Sequence, residues 1–409
     1  MTNTNGQRLW DSLMEMAKIG GTEKGGVNRL TGTDLDKQSR DLFKRWCEEA
    51  GCTVTIDALG NMFARRPGKN SGKLPVAIGS HLDSQPTGGK YDGALGVLAG
   101  LEVIRSLNDH GIETDAPVEV VNWTNEEGSR FSPPMTCSGA YAGVFTVDYA
   151  ASRADENGKT LGEEIARIGY AGPEPVGDHK LGCFLELHIE QGPVLEEGGE
   201  KAGIVTGGQA QRWYEVTVTG QEAHAGPTPM ARRKDALVAA SRMVDAVNAI
   251  GHEFQPNACA TVGYMRVYPN SRNVIPGEVF FSVDFRHPDD ETLSGMDAAL
   301  KTRCEEIAEK AGVSLDLVDI WHCPPTIFDE RCVSALRDAA QEAKLPAREM
   351  ISGAGHDALY VARVAPTAML FVPCKDGISH NEAEYASPEA CAAGAEVLFG
   401  AALRLAGRV

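Results

Sequence analysis

Residues 75–107 read PVAIGSHLDSQPTGGKYDGALGVLAGLEVIRSL. The segment opens with a short apolar run, Pro75 to Gly79, of the kind found in a strand buried on both faces. A helix is expected from Gly93 to Leu107. Between them a polar, glycine-rich loop carries His81, Asp83 and Asp92. Strands alternating with helices imply an α/β sheet. Ligands of such sheets sit beyond the carboxyl ends of the strands, and His81 emerges at that place.

The same style extends in both directions. Asp34 to Ala50 has apolar residues at a helical spacing, and Gly51 ends it. Thr53 to Asp57 alternates as a strand, and Gly60-Asn61 is a turn signal. Val118 to Trp123, Phe184 to His188 and Ala368 to Val372 are further strands, and Pro388 to Leu405 is a helix. Near residue 210 the pattern changes. Trp213 to Thr219 alternates as a half-exposed antiparallel strand does. A helix at Lys234 to Ile250, strands at Ala258 to Val267 and Glu278 to Phe285, a helix at Glu291 to Lys310 and a strand at Ser314 to Ile320 follow. That βαββαβ order suits a small α+β domain with a four-stranded sheet. The expected organisation is a helix-flanked α/β domain of residues 1–209 and 323–409, interrupted by a smaller α+β domain at 210–322.

Composition narrows the function. The chain has 409 residues, which fits two domains or one domain with an insertion. Its formal charge of −18 argues against nucleic acid and anionic membranes as partners. Ten cysteines show no paired framework, and Cys47 and Cys52 lack the second pair of a structural zinc site. They read as inert thiols in a reducing cytosol. The first twenty residues lack a signal-peptide core, and no apolar run is long enough to span a membrane. A cytoplasmic protein is expected.

The candidate site residues fall just past strand ends or at the helix start that follows. They are His81, Asp83, Asp92, Glu126, Glu127, His188 and His380. Singly, a histidine or acid at a strand end is usually a cap or a hydrogen-bonding group. Together, imidazoles and carboxylates with no thiolate are the ligand mix for zinc or a similar divalent ion. Such a set suits two metals sharing one carboxylate. In the pair Glu126-Glu127, one carboxylate can bind a cation while the other takes a proton from water.

Five segments carry a family resemblance: Ser80-His81-Leu82-Asp83, Gly89-Lys90-Tyr91-Asp92-Gly93, Asn125-Glu126-Glu127-Gly128, His188-Ile189-Glu190-Gln191-Gly192-Pro193 and Ser379-His380. Gly25–Leu30, Gly60-Asn61, His224–Met230 and Ser271–Gly277 extend it over nearly the whole chain. The sequence resembles the carbamoylase branch of the binuclear zinc amidohydrolases related to carboxypeptidase G. That branch includes N-carbamoyl-L-amino-acid hydrolases, β-ureidopropionases, allantoate amidohydrolases and ureidoglycolate amidohydrolases.

The resemblance implies His81, Asp92, Glu127, His188 and His380 as ligands of two divalent ions, with Asp92 bridging. Zinc is expected, with manganese, cobalt or nickel as alternatives. It implies Glu126 as general base and acid, and Asp83 as the residue that orients His81. It implies Gln191, His224, Asn273 and Arg286 as substrate contacts, with His224 stabilising an oxyanion and Arg286 pairing with a substrate carboxylate. The insertion would be a lid and dimerisation domain in a homodimer, with some lid residues supplied by the partner subunit. The implied reaction is hydrolysis of the ureido group of an N-carbamoyl amino acid, with allantoate or ureidoglycolate as alternative substrates.

The residues themselves are compatible with those roles. His224 sits in a glycine- and proline-rich turn, which favours exposure. Arg286 ends an apolar strand, where a guanidinium can form a bidentate pair with a carboxylate. An ion pair with Asp284 or Asp289 is the competing reading. Ser352–Asp357 is glycine-rich and expected to line the site with backbone amides, with His356 in a supporting role.

Overall fold

The structure, a computed structural model, describes residues 3–409. Met1 and Thr2, at the start of the segment read as lacking a leader, lie outside the described residues. The chain divides into two compact units, Met1–Gly207 with Ile327–Val409, and Gly208–Thr326.

The first unit is built on a mixed nine-stranded sheet. Its order is Thr53–Ile56, Met62–Arg66, Val118–Trp123, Val76–His81, Cys183–Ile189, Thr367–Val372, Ala202–Gly208 and Thr326–Ile327, with Ala347–Ser352 paired to Ala202–Gly208. The four central strands, from Val118–Trp123 to Thr367–Val372, run parallel. Their side chains are buried on both faces, which is why these segments read as near-continuous apolar runs. The helix Ala94–Asp109 packs on Val76–His81, and Pro388–Ala406 packs on that helix and on Thr367–Val372. The flanking strands Met62–Arg66 and Ala202–Gly208 are antiparallel to their central neighbours and carry little periodic signal.

The second unit is an antiparallel sheet with two helices. Along Ala210–Thr219 and Glu278–His287 burial alternates, so Tyr214, Val216, Val218, Val279, Phe281, Val283 and Phe285 share one face. They form a core with Ala239, Met243 and Val247 of Ala236–Glu253 and Leu293 and Leu300 of Asp290–Ala311. The sheet has five strands rather than the expected four. The run Ala258–Val267 splits into Cys259–Thr261 and Met265–Tyr268, both paired to Glu278–His287. Thr261 faces Asp284 and Met265 faces Phe281, so residues 262–264 oppose only Ser282 and Val283. That one extra residue breaks the ladder as a bulge does. A separate two-stranded ribbon pairs Ala223–His224 with Val274–Ile275.

Cys259 is exposed and the other nine cysteines are buried. Among the described residues, no helix is long and apolar enough to cross a membrane.

Candidate metal centre

His81 is the last residue of the strand Val76–His81 and is buried. Its Nδ1 lies 2.9 Å from the main-chain oxygen of Asp83. A carbonyl oxygen only accepts, so Nδ1 carries the proton and the neutral ring presents a lone pair at Nε2. That Nε2 is buried with no hydrogen-bond partner. Asp92 Oδ1 and Glu126 Oε2 each stand 3.4 Å from it. His188, on the adjacent parallel strand, is held the same way at Nδ1, but its Nε2 accepts the Gly93 N–H at 3.1 Å. Its Nδ1 is 2.9 Å from Ile189 O, and its Nε2 is 3.1 Å from Asp92 Oδ1.

Asp92 is the centre of two donor sets. His81, Asp92 and His188 form one, and Asp92, Glu127 and His380 form the other. Within each set the ligand atoms lie within 4.8 Å of one another. On the second side His380 Nε2 is 3.4 Å from both Asp92 Oδ2 and Glu127 Oε2. The donors fit divalent ions. Imidazole lone pairs facing carboxylate oxygens across such gaps repel unless a cation lies between them, and the donors are nitrogen and oxygen alone.

The acids around these donors are crowded. Burial drives the Glu126 carboxyl well above its usual range, and Asp357, Glu127 and Asp92 add to this against the opposing His81. Burial and the Asp92 charge push Glu127 up to about 6. Burial opposes ionisation of Asp92, yet the adjoining His188, His380 and His81 rings hold it well below the usual range.

Local backbone geometry places these groups. Gly93, at φ +64°, lets the chain turn from Asp92 into the helix Ala94–Asp109. After Val118–Trp123, Asn125 adopts φ 57° and its Nδ2 donates to Phe131 O and Thr136 Oγ1. The turn delivers Glu126 and Glu127 to the strand end. His380 and Gln191 also have positive φ, 52° and 59°. Such strain in residues other than glycine clusters at functional sites.

The expected site residues also make contacts that residue type alone does not specify. Asp83 holds the His81 ring through its main-chain oxygen, since its Oδ1 is 3.8 Å from Nδ1. The Asp83 carboxylate instead accepts the Thr31 hydroxyl and the backbone N–H groups of Glu126 and Glu127. It therefore ties the acidic turn to the strand carrying His81. Gln191 turns its Nε2 to Asp92 Oδ2 at 2.9 Å and to Ser379 Oγ at 3.1 Å, leaving a buried Oε1 without a partner. The Ser352–Asp357 segment presents side chains as well as backbone. The His356 ring is 4.5 Å from that of His188, and Asp357 raises Glu126.

Glu384 was not anticipated. It is buried, and its Oε1 accepts the N–H groups of Tyr91 and Asp92. No periodicity or motif spacing marks it. Only its position four residues after His380 in the same loop could have drawn notice.

The remaining expected residues belong to the second unit. His224 is exposed on the two-stranded ribbon, and Asn273 precedes the partner strand, its main-chain oxygen accepting Ala225 N–H at 2.9 Å. Gly226 N–H donates to His224 Nδ1 at 3.1 Å, so the neutral ring keeps its proton on Nε2. Arg286 pairs with Asp284, Nη2 to Oδ2 at 2.7 Å, the competing ion pair anticipated above.

A family model for peptidases, M20/M25/M40, matches residues 77–404. The chain belongs to peptidase family M20/M25/M40. Its relatives in the M20/M25/M40 family include an N-carbamoyl-L-amino-acid amidohydrolase of Rhizobium meliloti, 51% identical over 98% of this chain and 97% of that protein. A second N-carbamoyl-L-amino acid amidohydrolase, from Geobacillus stearothermophilus, is 39% identical over 98% of each chain. Among solved structures, an amidase of the hydantoinase/carbamoylase family from Burkholderia vietnamiensis has 61% identity and a TM-score of 0.98, covering 99% of this chain and 98% of its own.

Proposed function

We infer that this chain hydrolyses the carbamoyl C–N bond of N-carbamoyl amino acids, giving the amino acid, ammonia and carbon dioxide. One observation carries the reading: a single buried carboxylate, Asp92, shared by two donor sets beside a second buried acid, Glu126. The relatives named above supply the substrate class. Two divalent ions, zinc foremost, held by His81, Asp92 and His188 and by Asp92, Glu127 and His380, would act as Lewis acids toward the carbamoyl oxygen and the attacking water.

The protein's own groups do the rest. Glu126, whose proton affinity is raised by burial, takes the water proton and returns it to the leaving nitrogen. Gln191 has committed its amide N–H group to Asp92 and Ser379, so its bare Oε1 is the acceptor for a ureido N–H. His224 offers its Nε2 proton to the oxyanion. Arg286, its fork held by Asp284, meets the substrate carboxylate, and Asn273 contributes a further polar contact. In this reading the unit 1–207 with 327–409 is catalytic, and 208–326 is the lid and dimerisation domain of a cytoplasmic homodimer.

The test is an ammonia-release screen of the metal-loaded protein on N-carbamoyl-β-alanine, several N-carbamoyl-L-amino acids, allantoate and ureidoglycolate. Turnover of N-carbamoyl amino acids is expected. Turnover confined to allantoate or ureidoglycolate would overturn the substrate assignment.

A further inference from the structure

Glu384 stands behind the shared ligand. Its Oε1 accepts two successive backbone N–H groups, from Tyr91 and Asp92, each at 3.0 Å. Its Oε2 accepts the Ser379 hydroxyl at 2.8 Å. Ser379 immediately precedes His380, and its Oγ is also 3.1 Å from Asp92 Oδ2. One carboxylate thus grips both the loop that carries the shared ligand and the loop that carries the last ligand. The surrounding backbone is shaped to receive it. A Cβ at Gly89 would fall 2.0 Å from Glu384 Cδ and Oε1, so only glycine leaves room there.

The tie matters most on one side of Asp92. His81 and His188 are fixed by strands and have 1% side-chain exposure, whereas the His380 side chain is 50% exposed on a loop at positive φ. Its orientation relative to Asp92 has to come from loop contacts, and Ser379 with Glu384 supplies them.

We propose that Glu384 is a positioning residue that sets the affinity of the ion position formed by Asp92, Glu127 and His380, by clamping Ser379-His380 to the Tyr91-Asp92 backbone. The inference rests on the two-ion reading of the site. Glutamine at 384 keeps a carbonyl oxygen for the two backbone N–H groups, and its amide N–H can donate to Ser379 Oγ, which still reaches Asp92. Alanine keeps neither.

The experiment is titration of the metal-free protein with Co2+, read as bound ions per chain and as visible absorption, with chelator competition for each affinity. Wild type should take up two ions. Glu384→Ala should bind the first ion near normally and the second about 10–100-fold more weakly, the range expected for loss of groups that orient ligands. Glu384→Gln should recover most of that loss. Ser379→Ala, which cuts the tether without removing the buried carboxylate, should also weaken the second ion alone, and it decides the matter if Glu384→Ala does not fold. Two ions bound at wild-type affinity in Glu384→Ala, or in Ser379→Ala where that variant decides, overturn the proposal. Fewer than two ions in wild type overturn the two-ion reading and this inference with it.

Discussion

A Cβ placed on Gly93 would lie 2.4 Å from Cε1 of His81. The helix Ala94–Asp109 therefore begins against the face of a metal-ligand candidate, and the absence of a side chain sets how closely it can do so. Gly93→Ala should displace the ring and force φ +64° on a residue that resists it. Affinity for the ion at His81, Asp92 and His188 should drop about 10–100-fold, with a stability loss of about 1–3 kcal/mol. Metal analysis after dialysis and thermal melts check this. Full retention of both ions would show that the ring can move without consequence.

Glu126→Gln removes the proton acceptor while keeping the side-chain shape. Two ions should remain bound, and kcat should fall by about 10²–10⁴. Near-normal kcat in a fully loaded variant would remove Glu126 from the proton-transfer role.

The pair Arg286–Asp284 separates charge from orientation. Arg286→Ala should lower kcat/KM about 10–100-fold for substrates with a free carboxylate, mostly through KM, as expected for losing a charge-assisted hydrogen bond. Carboxamide analogues of the same substrates should be affected far less. Equal losses on both would point to a structural role for Arg286. Asp284→Asn, which removes that charge partner, should produce a smaller change in the same parameter.

Asp57 provides a pH test away from the metal ligands. Burial pushes its carboxyl up to about 6, outweighing the hydrogen bonds from Asn61 and Leu59. The folded state thus holds the proton more tightly than the unfolded chain. Its contribution to stability is full below the ordinary aspartate range near pH 4 and is lost as pH rises through about 6. Asp57→Asn should gain stability relative to wild type between pH 4 and 7 by roughly 3 kcal/mol, whatever the offset at pH 4. Chemical denaturation across that range measures it, and parallel stability curves would contradict the shift.

The strand ends and the five ligand candidates were legible because each candidate lies near the end of a strand whose apolar run is unmistakable or at the start of the helix that follows it. His81 and His188 leave the sheet on parallel neighbours, and the turn after Trp123 presents Glu126 and Glu127 beside them. The supporting contacts were hidden because they depend on atoms rather than residue types. Sequence cannot say that Asp83 holds a ring with its main-chain oxygen while its carboxylate grips two N–H groups. Nor can it say which end of the Gln191 amide faces Asp92. The strands Met62–Arg66 and Ala202–Gly208 escaped notice because arginines and glycines interrupt their pattern. The extra strand in the second unit came from a bulge, which a uniform alternation does not announce.

The placement of Thr367–Val372 bears on how the centre comes into being. That strand lies between Cys183–Ile189 and Ala202–Gly208, yet it is synthesised after the entire Gly208–Thr326 unit. A chain that ends before this strand lacks the neighbour that pairs with both, and it lacks His380 of the second donor set. On the two-ion reading, a chain truncated before residue 380 lacks one of the three donors of the second position.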